Sequence, residues 1–226
     1  MRMLLVPGGG SSVDGYFTAL EQMLAPHATL VLVDPPGLDV ASGRRWLRLP
    51  DHARWLADAL RAEGGEPVLV IGHSLGCLVS LRLALDEPAL VAGLLLLDPG
   101  PPIFGALLPR PVLRTLGAIR RVARRRRPAR HPRAVPLHVR LRWFVSGGVG
   151  LAADVAAGGL AGIPTVLVTA GEHAPTSVIP RTHERLVQLI PGARRETWEG
   201  TTHGLHPEEP ARVAETALRL LREQRA

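Results

Sequence analysis

Short apolar runs alternate along this chain with helix-length stretches whose apolar residues recur every third or fourth position. That alternation constrains the fold more than any other feature. The runs are Met3 to Val6, Leu30 to Val33, Val68 to Ile71, Leu94 to Leu97, Thr165 to Thr169 and, less regularly, Ala193 to Trp198. The amphipathic stretches are Tyr16 to Leu24, Asp51 to Ala62, Leu75 to Leu85, Thr182 to Ile190 and Pro207 to Arg222. Strands that are apolar throughout must be covered on both faces. The pattern therefore predicts an α/β fold, a mostly parallel sheet of about six strands with helices on both sides. Pro50-Asp51, Pro180 and Pro207-Glu208-Glu209 supply helix starts, because proline and carboxylates both suit a first turn.

The alternation stops between Pro99 and Pro164, where prolines, an arginine cluster and the glycine-rich stretch Ser146 to Gly162 replace it. With 226 residues, 46% of them hydrophobic, the chain can bury one sizeable core. The reading is one domain over 1–226 with a cap insertion at about 99–163. Cys77 is the single cysteine, which excludes an intramolecular disulfide framework. The N-terminus runs from Leu4-Leu5-Val6 straight into Pro7 and three glycines, unlike a secretory signal, and no apolar run is long enough for a membrane helix. A soluble, cytoplasmic protein is expected.

The net charge of +7 invites a nucleic-acid reading until the charge is located. Every one of the 27 basic residues is arginine, and twelve of them lie between Arg110 and Arg142. No Asp or Glu occurs from Pro99 to Ala153, so the basicity is local and the rest of the chain is net acidic. Arg120 to Arg133 contains no aromatic residue on which bases could stack, which argues against a single-strand nucleic-acid site. A solvated cap is the expected reading of the cluster, and its functional alternative is attraction of an anionic substrate or an acidic carrier protein by long-range steering.

Gly72-His73-Ser74-Leu75-Gly76 follows the apolar run Val68 to Ile71 and precedes a helical stretch, and so reads strand, tight turn, helix. Such a turn projects the serine hydroxyl from the sheet edge, and its glycines let strand and helix approach closely. Ser74 is the candidate nucleophile. His73, inside the turn, is read as a packing or hydrogen-bonding residue.

Taken together, these segments resemble the α/β-hydrolase superfamily. The likeness runs through Leu4-Leu5-Val6-Pro7-Gly8-Gly9, Val33-Asp34-Pro35-Pro36-Gly37, the serine turn, Thr165 to Glu172 and Gly200-Thr201-Thr202-His203-Gly204. It implies an acyl-serine mechanism in which His203 is the general base, the backbone N–H groups of Gly9 and Leu75 hold the oxyanion, and no cofactor or metal is used. Proline stands at position 7 where the family's loop has histidine, but the donor there is backbone. His203 and His206 form an H-x-x-H spacing, yet no helix brings a carboxylate to it, which weakens a zinc reading.

Family members most often place the triad acid at the position of Ala174, so the expected carboxylate is missing. Asp98, at the end of the run Leu94 to Leu97, is the preferred substitute because a strand's C-terminal end faces the crevice that holds the nucleophile. Glu172, directly after Gly171, is the alternative acid. A Ser74–His203 dyad with no acid is a third possibility. The expected function is a serine hydrolase cleaving an ester, lactone or thioester of a small acyl substrate. A thioesterase acting on an acidic carrier protein, a carbon–carbon hydrolase and a non-catalytic binding protein on the same scaffold remain open.

Overall fold

A computed structural model describes residues 1–8, 12–34, 49–100 and 150–223. Six strands, β1 (Arg2–Val6), β2 (Thr29–Leu32), β3 (Val68–His73), β4 (Val91–Leu97), β5 (Thr165–Ala170) and β6 (Arg194–Trp198), form one sheet. Its order is β2-β1-β3-β4-β5-β6, and every neighbouring pair is parallel. The helices are α1 (Thr18–Leu24), α2 (Leu49–Ala62), α3 (Leu75–Asp86), α4 (Ile179–Leu189), α5 (Leu205–Glu208) and α6 (Pro210–Glu223).

The period of two along each strand divides the core into two layers. Leu4, Val68, Val70, Leu94, Leu96 and Leu167 face α2, α3 and α4. Met3, Leu5, Leu69, Ile71, Leu95, Leu97, Val166 and Val168 face α1 and α6. Both layers are largely apolar at the sheet, with Thr165 and Thr169 of β5 as buried polar exceptions.

One detail differs from the sequence reading. The last amphipathic stretch is two helices rather than one, because Pro210 has no N–H and disfavours helical geometry before it; Glu209 leaves the helix at φ −128°. Residues 150–156 are helical, and Leu151, Val155, Leu160 and Ile163 join the core layer beneath α3. Residues 101–149, which include the arginine cluster, lie outside the described residues.

Strand order reverses between β1 and β3, since the chain steps from β1 to β2 on one side and resumes with β3 on the other. Such a reversal opens a crevice at the C-terminal strand ends. The register aligns Val6 with Gly72, His73 with Leu97, and Leu97 with Val168, so the turns after β1, β3, β4 and β5 leave the same edge.

Candidate active site

Ser74 stands between β3 and α3 with φ +53°, a conformation L-residues avoid. Close packing enforces it. A Cβ on Gly76 would lie 2.1 Å from the Val6 carbonyl oxygen, so only glycine lets α3 start against the end of β1. The Ser74 N–H donates to the Leu97 carbonyl at 2.9 Å, which ties the turn to β4. Among the described residues one other non-glycine residue has a positive φ, Asp98 at +44°. Backbone strain of this kind persists where the surroundings over-determine it, and here it falls on two residues of one site.

Three side chains far apart in sequence meet at this edge. Ser74 Oγ lies 2.9 Å from His203 Nε2, and His203 Nδ1 lies 2.6 Å from Asp98 Oδ2. A carboxylate only accepts, so Nδ1 carries the hydrogen and Nε2 is the acceptor that faces the serine hydroxyl. Asp98 is fully buried, whereas the His203 side chain is half exposed. Burial pushes the Asp98 carboxyl up, but hydrogen bonds from His203, the Ala170 N–H and His173 outweigh it and hold the group at about 2. Asp98 is therefore an anion at neutral pH.

Glu172 is exposed, and its backbone N–H donates to the Thr201 carbonyl at 2.9 Å. The carboxylate beside His203 is that of Asp98. Leu75 is the first residue of α3, so its N–H lies outside the helical hydrogen-bond ladder and at the positive end of the helix dipole. Gly9 lies outside the described residues. His203 and His206 do not converge: His203 is taken by Ser74 and Asp98, and His206 stacks on Tyr16 with 4.8 Å between centroids.

Several neighbours escaped the sequence reading. His173 Nε2 donates to the other oxygen of Asp98 at 2.9 Å, alongside the Ala170 N–H at 3.0 Å. It sits between Glu172 and Ala174, so its position after β5 was the available signal. His183 is buried, donates from Nε2 to the Pro99 carbonyl at 2.8 Å and accepts from Thr169 at Nδ1. Burial lowers its pKa and keeps it neutral. Tyr16, the single tyrosine of the chain, contacts His73.

A doubly covered parallel sheet with a strained serine turn and a carboxylate-bound histidine at one edge defines a class. The model of the alpha/beta hydrolase family matches residues 3–216, and the chain belongs to that family. Its particular relatives are similar over less of their length. The chain is 35% identical over 99 residues to a pimeloyl-[acyl-carrier protein] methyl ester esterase of Photorhabdus laumondii, covering 44% of this chain and 36% of that one. It is 34% identical over 93 residues to a putative carbamate hydrolase, RutD, of Klebsiella pneumoniae, covering 40% and 34%. The matches thus span about a third of these relatives' length. Among solved structures, an N-acyl homoserine lactone degrading enzyme, Est816, superposes with TM-score 0.70 at 19% identity over 97% of this chain and 92% of that one. A thermophilic esterase from Thermogutta terrifontis has TM-score 0.70 at 18% identity over 100% and 91%. These likenesses establish the fold. Among the described residues no helix is long and apolar enough to cross a membrane.

Proposed function

We propose that this protein is a serine hydrolase that cleaves a carboxylic ester, lactone or thioester through an acyl-Ser74 intermediate. The observation that carries the reading is the continuous contact Ser74 Oγ to His203 Nε2 to Asp98, at 2.9 and 2.6 Å. Ser74 attacks the acyl carbonyl while His203 Nε2 takes its proton. The negative oxygen of the tetrahedral intermediate receives hydrogen bonds from the Leu75 and Gly9 N–H groups. Asp98 keeps the imidazole in the Nδ1–H tautomer and stabilises the imidazolium that forms. The C–O or C–S bond then breaks, and His203 returns the proton to the leaving group. In the second half, His203 deprotonates a water that attacks the acyl carbon, and the acid leaves as Ser74 recovers its proton. The chain's own groups balance both steps.

A fluorophosphonate probe tests this reading. Labelling of Ser74 in the wild type, absent in Ser74→Ala, supports it; a folded, unlabelled wild type with no turnover on p-nitrophenyl esters, lactones or acyl-thioesters would refute it in favour of a binding protein.

A second reading makes the substrate an acyl group borne on an acidic carrier protein. The relatives named for pimeloyl-[acyl-carrier protein] methyl esters and the arginines between Arg110 and Arg142 favour it. Such a partner would be drawn in by long-range attraction that salt weakens.

A further inference from the structure

Beside Ser74 runs a second polar chain that takes no part in this proton path, and its end groups allow its hydrogens one arrangement. His73 Nε2 lies 2.7 Å from the His203 carbonyl oxygen. A carbonyl only accepts, so Nε2 donates. Nδ1 of the neutral ring is then an acceptor, and Tyr16 Oη, 2.6 Å away, donates to it. The Tyr16 oxygen also lies against Gly8 in the turn after β1, where an added Cβ would meet it at 2.7 Å. Burial raises the Tyr16 phenol to about 12 against the opposing Gly8 contact. Burial, reinforced by nearby His206 and His203, lowers His73 to about 3 against the His203 carbonyl and Asp98. Both groups stay neutral around pH 7, so the chain keeps its direction.

Each end of the chain belongs to a segment that carries a reacting group. Gly8 immediately precedes Gly9, His73 immediately precedes Ser74, and His203 is the base. The spacing leaves no slack: a Cβ on Gly8 would lie 2.7 Å from Tyr16 Oη, 2.9 Å from Ser74 Cβ and 3.0 Å from His73 Nδ1. Tyr16 is itself clamped. Its ring meets Phe17 edge-on at 4.8 Å and stacks on His206 at 4.8 Å.

Building on the serine-hydrolase reading, we propose that Tyr16 and His73 are positioning residues, holding the turn after β1 and the backbone of the His203 loop in register with Ser74. Asp98 orients the ring of His203, and His73 anchors its main chain. With the ring contact alone, the loop could shift as a unit; the bond to the carbonyl removes that freedom. Reactive geometry is sensitive to displacements of about 1 Å, so the anchor acts on rate rather than on substrate affinity.

Two measurements on the full-length protein decide it. Long-range ¹H–¹⁵N spectra of the imidazole nitrogens report the His73 tautomer without any turnover. His73 should be protonated at Nε2 alone and should not titrate near neutral pH, whereas Tyr16→Phe should give a mixture of tautomers or a titrating ring. A wild-type His73 that titrates, or carries its hydrogen on Nδ1, overturns the proposal. The second measurement is kcat and KM for p-nitrophenyl butyrate, expressed per Ser74 titrated with fluorophosphonate. Tyr16→Phe and His73→Leu should each lower kcat per titrated site about tenfold or more with KM within about twofold. His73→Gln keeps a donor for the His203 carbonyl and should recover part of the loss, and the pH–rate profile should keep its wild-type midpoint because Asp98 is untouched. If kcat per titrated site is unchanged and only the melting temperature falls, the two residues merely pack and the proposal fails. A wild type that neither labels nor turns over fails the hydrolase reading instead; the positioning role falls with it, while the spectra still decide the hydrogen-bonded chain.

Discussion

Two imidazoles lie 4.9 Å apart beside Ser74, and their surroundings give the same side chain two different chemistries. His203 is half exposed and donates from Nδ1 to a buried carboxylate, which leaves Nε2 facing the serine hydroxyl as an acceptor. His73 is buried and bound to a carbonyl and a phenol, with its pKa pushed to about 3, so it never carries the charge that proton transfer requires. The contrast lies in the partners. An anionic acceptor with solvent nearby makes a base, and a neutral acceptor under burial makes a fixed donor.

The comparison breaks most completely when the Ser74 hydroxyl itself is removed. Ser74→Ala should lower kcat by about a thousandfold or more with the melting temperature near wild type, since only a hydroxyl is lost. Steady-state ester hydrolysis and thermal unfolding check both halves of that statement.

Breaking only the His203 side comes next. Asp98→Asn should lower kcat by about three to four orders of magnitude, because an amide can donate to Nδ1 and favour the wrong tautomer. Glu172→Gln should cost less than about threefold, as its side chain is exposed. A crippling Glu172→Gln with a silent Asp98→Asn would move the acid to the end of β5.

The carboxylate also has a stability signature of its own, at lower pH than that of His73, whose depressed pKa costs stability as pH falls from about 6.5 towards 3. The folded Asp98 pKa of about 2 lies below the ordinary 3.8, so the stabilisation is present above about pH 4 and is lost as pH falls through 2. In urea titrations the wild type should lose roughly 2 kcal/mol more than Asp98→Asn between about pH 4 and pH 2. An equal loss in both proteins would mean that Asp98 is not held as an anion by its neighbours.

The smallest effect is expected in the arginine cluster, far from both histidines in sequence. Replacing several arginines between Arg120 and Arg133 by glutamine should change turnover of uncharged esters by less than about twofold. With an ester on an acidic carrier protein, kcat/KM should fall and its salt dependence should flatten. Equal losses on both substrates would assign the segment to packing.

Much of this architecture could be read from local pattern. Uninterrupted apolar runs require a sheet covered on both faces, and each of the six runs is a strand. The serine turn was legible because its cause is local: a strand, a strained residue and close-packed glycines lie within five positions. The split before Pro210 was also encoded locally, in a proline read as part of a helix rather than as the start of the next.

What remained open depended on contacts between distant segments. Asp98 and Glu172 both follow apolar runs, so the sequence alone left either as a partner for His203. The choice follows from register: the Asp98 N–H donates to the Val168 carbonyl, its carboxylate meets the Ala170 N–H, and the strained backbone turns it towards His203, 105 residues away. His173 and Tyr16 have no motif around them and acquire their partners only when β4, β5 and α1 pack. Sequence patterns record the periodicity and strain of a segment, because those arise among neighbouring residues. The charge and tautomer of an imidazole arise from whatever the fold places within about 3 Å of each ring nitrogen, and that is decided by tertiary structure alone.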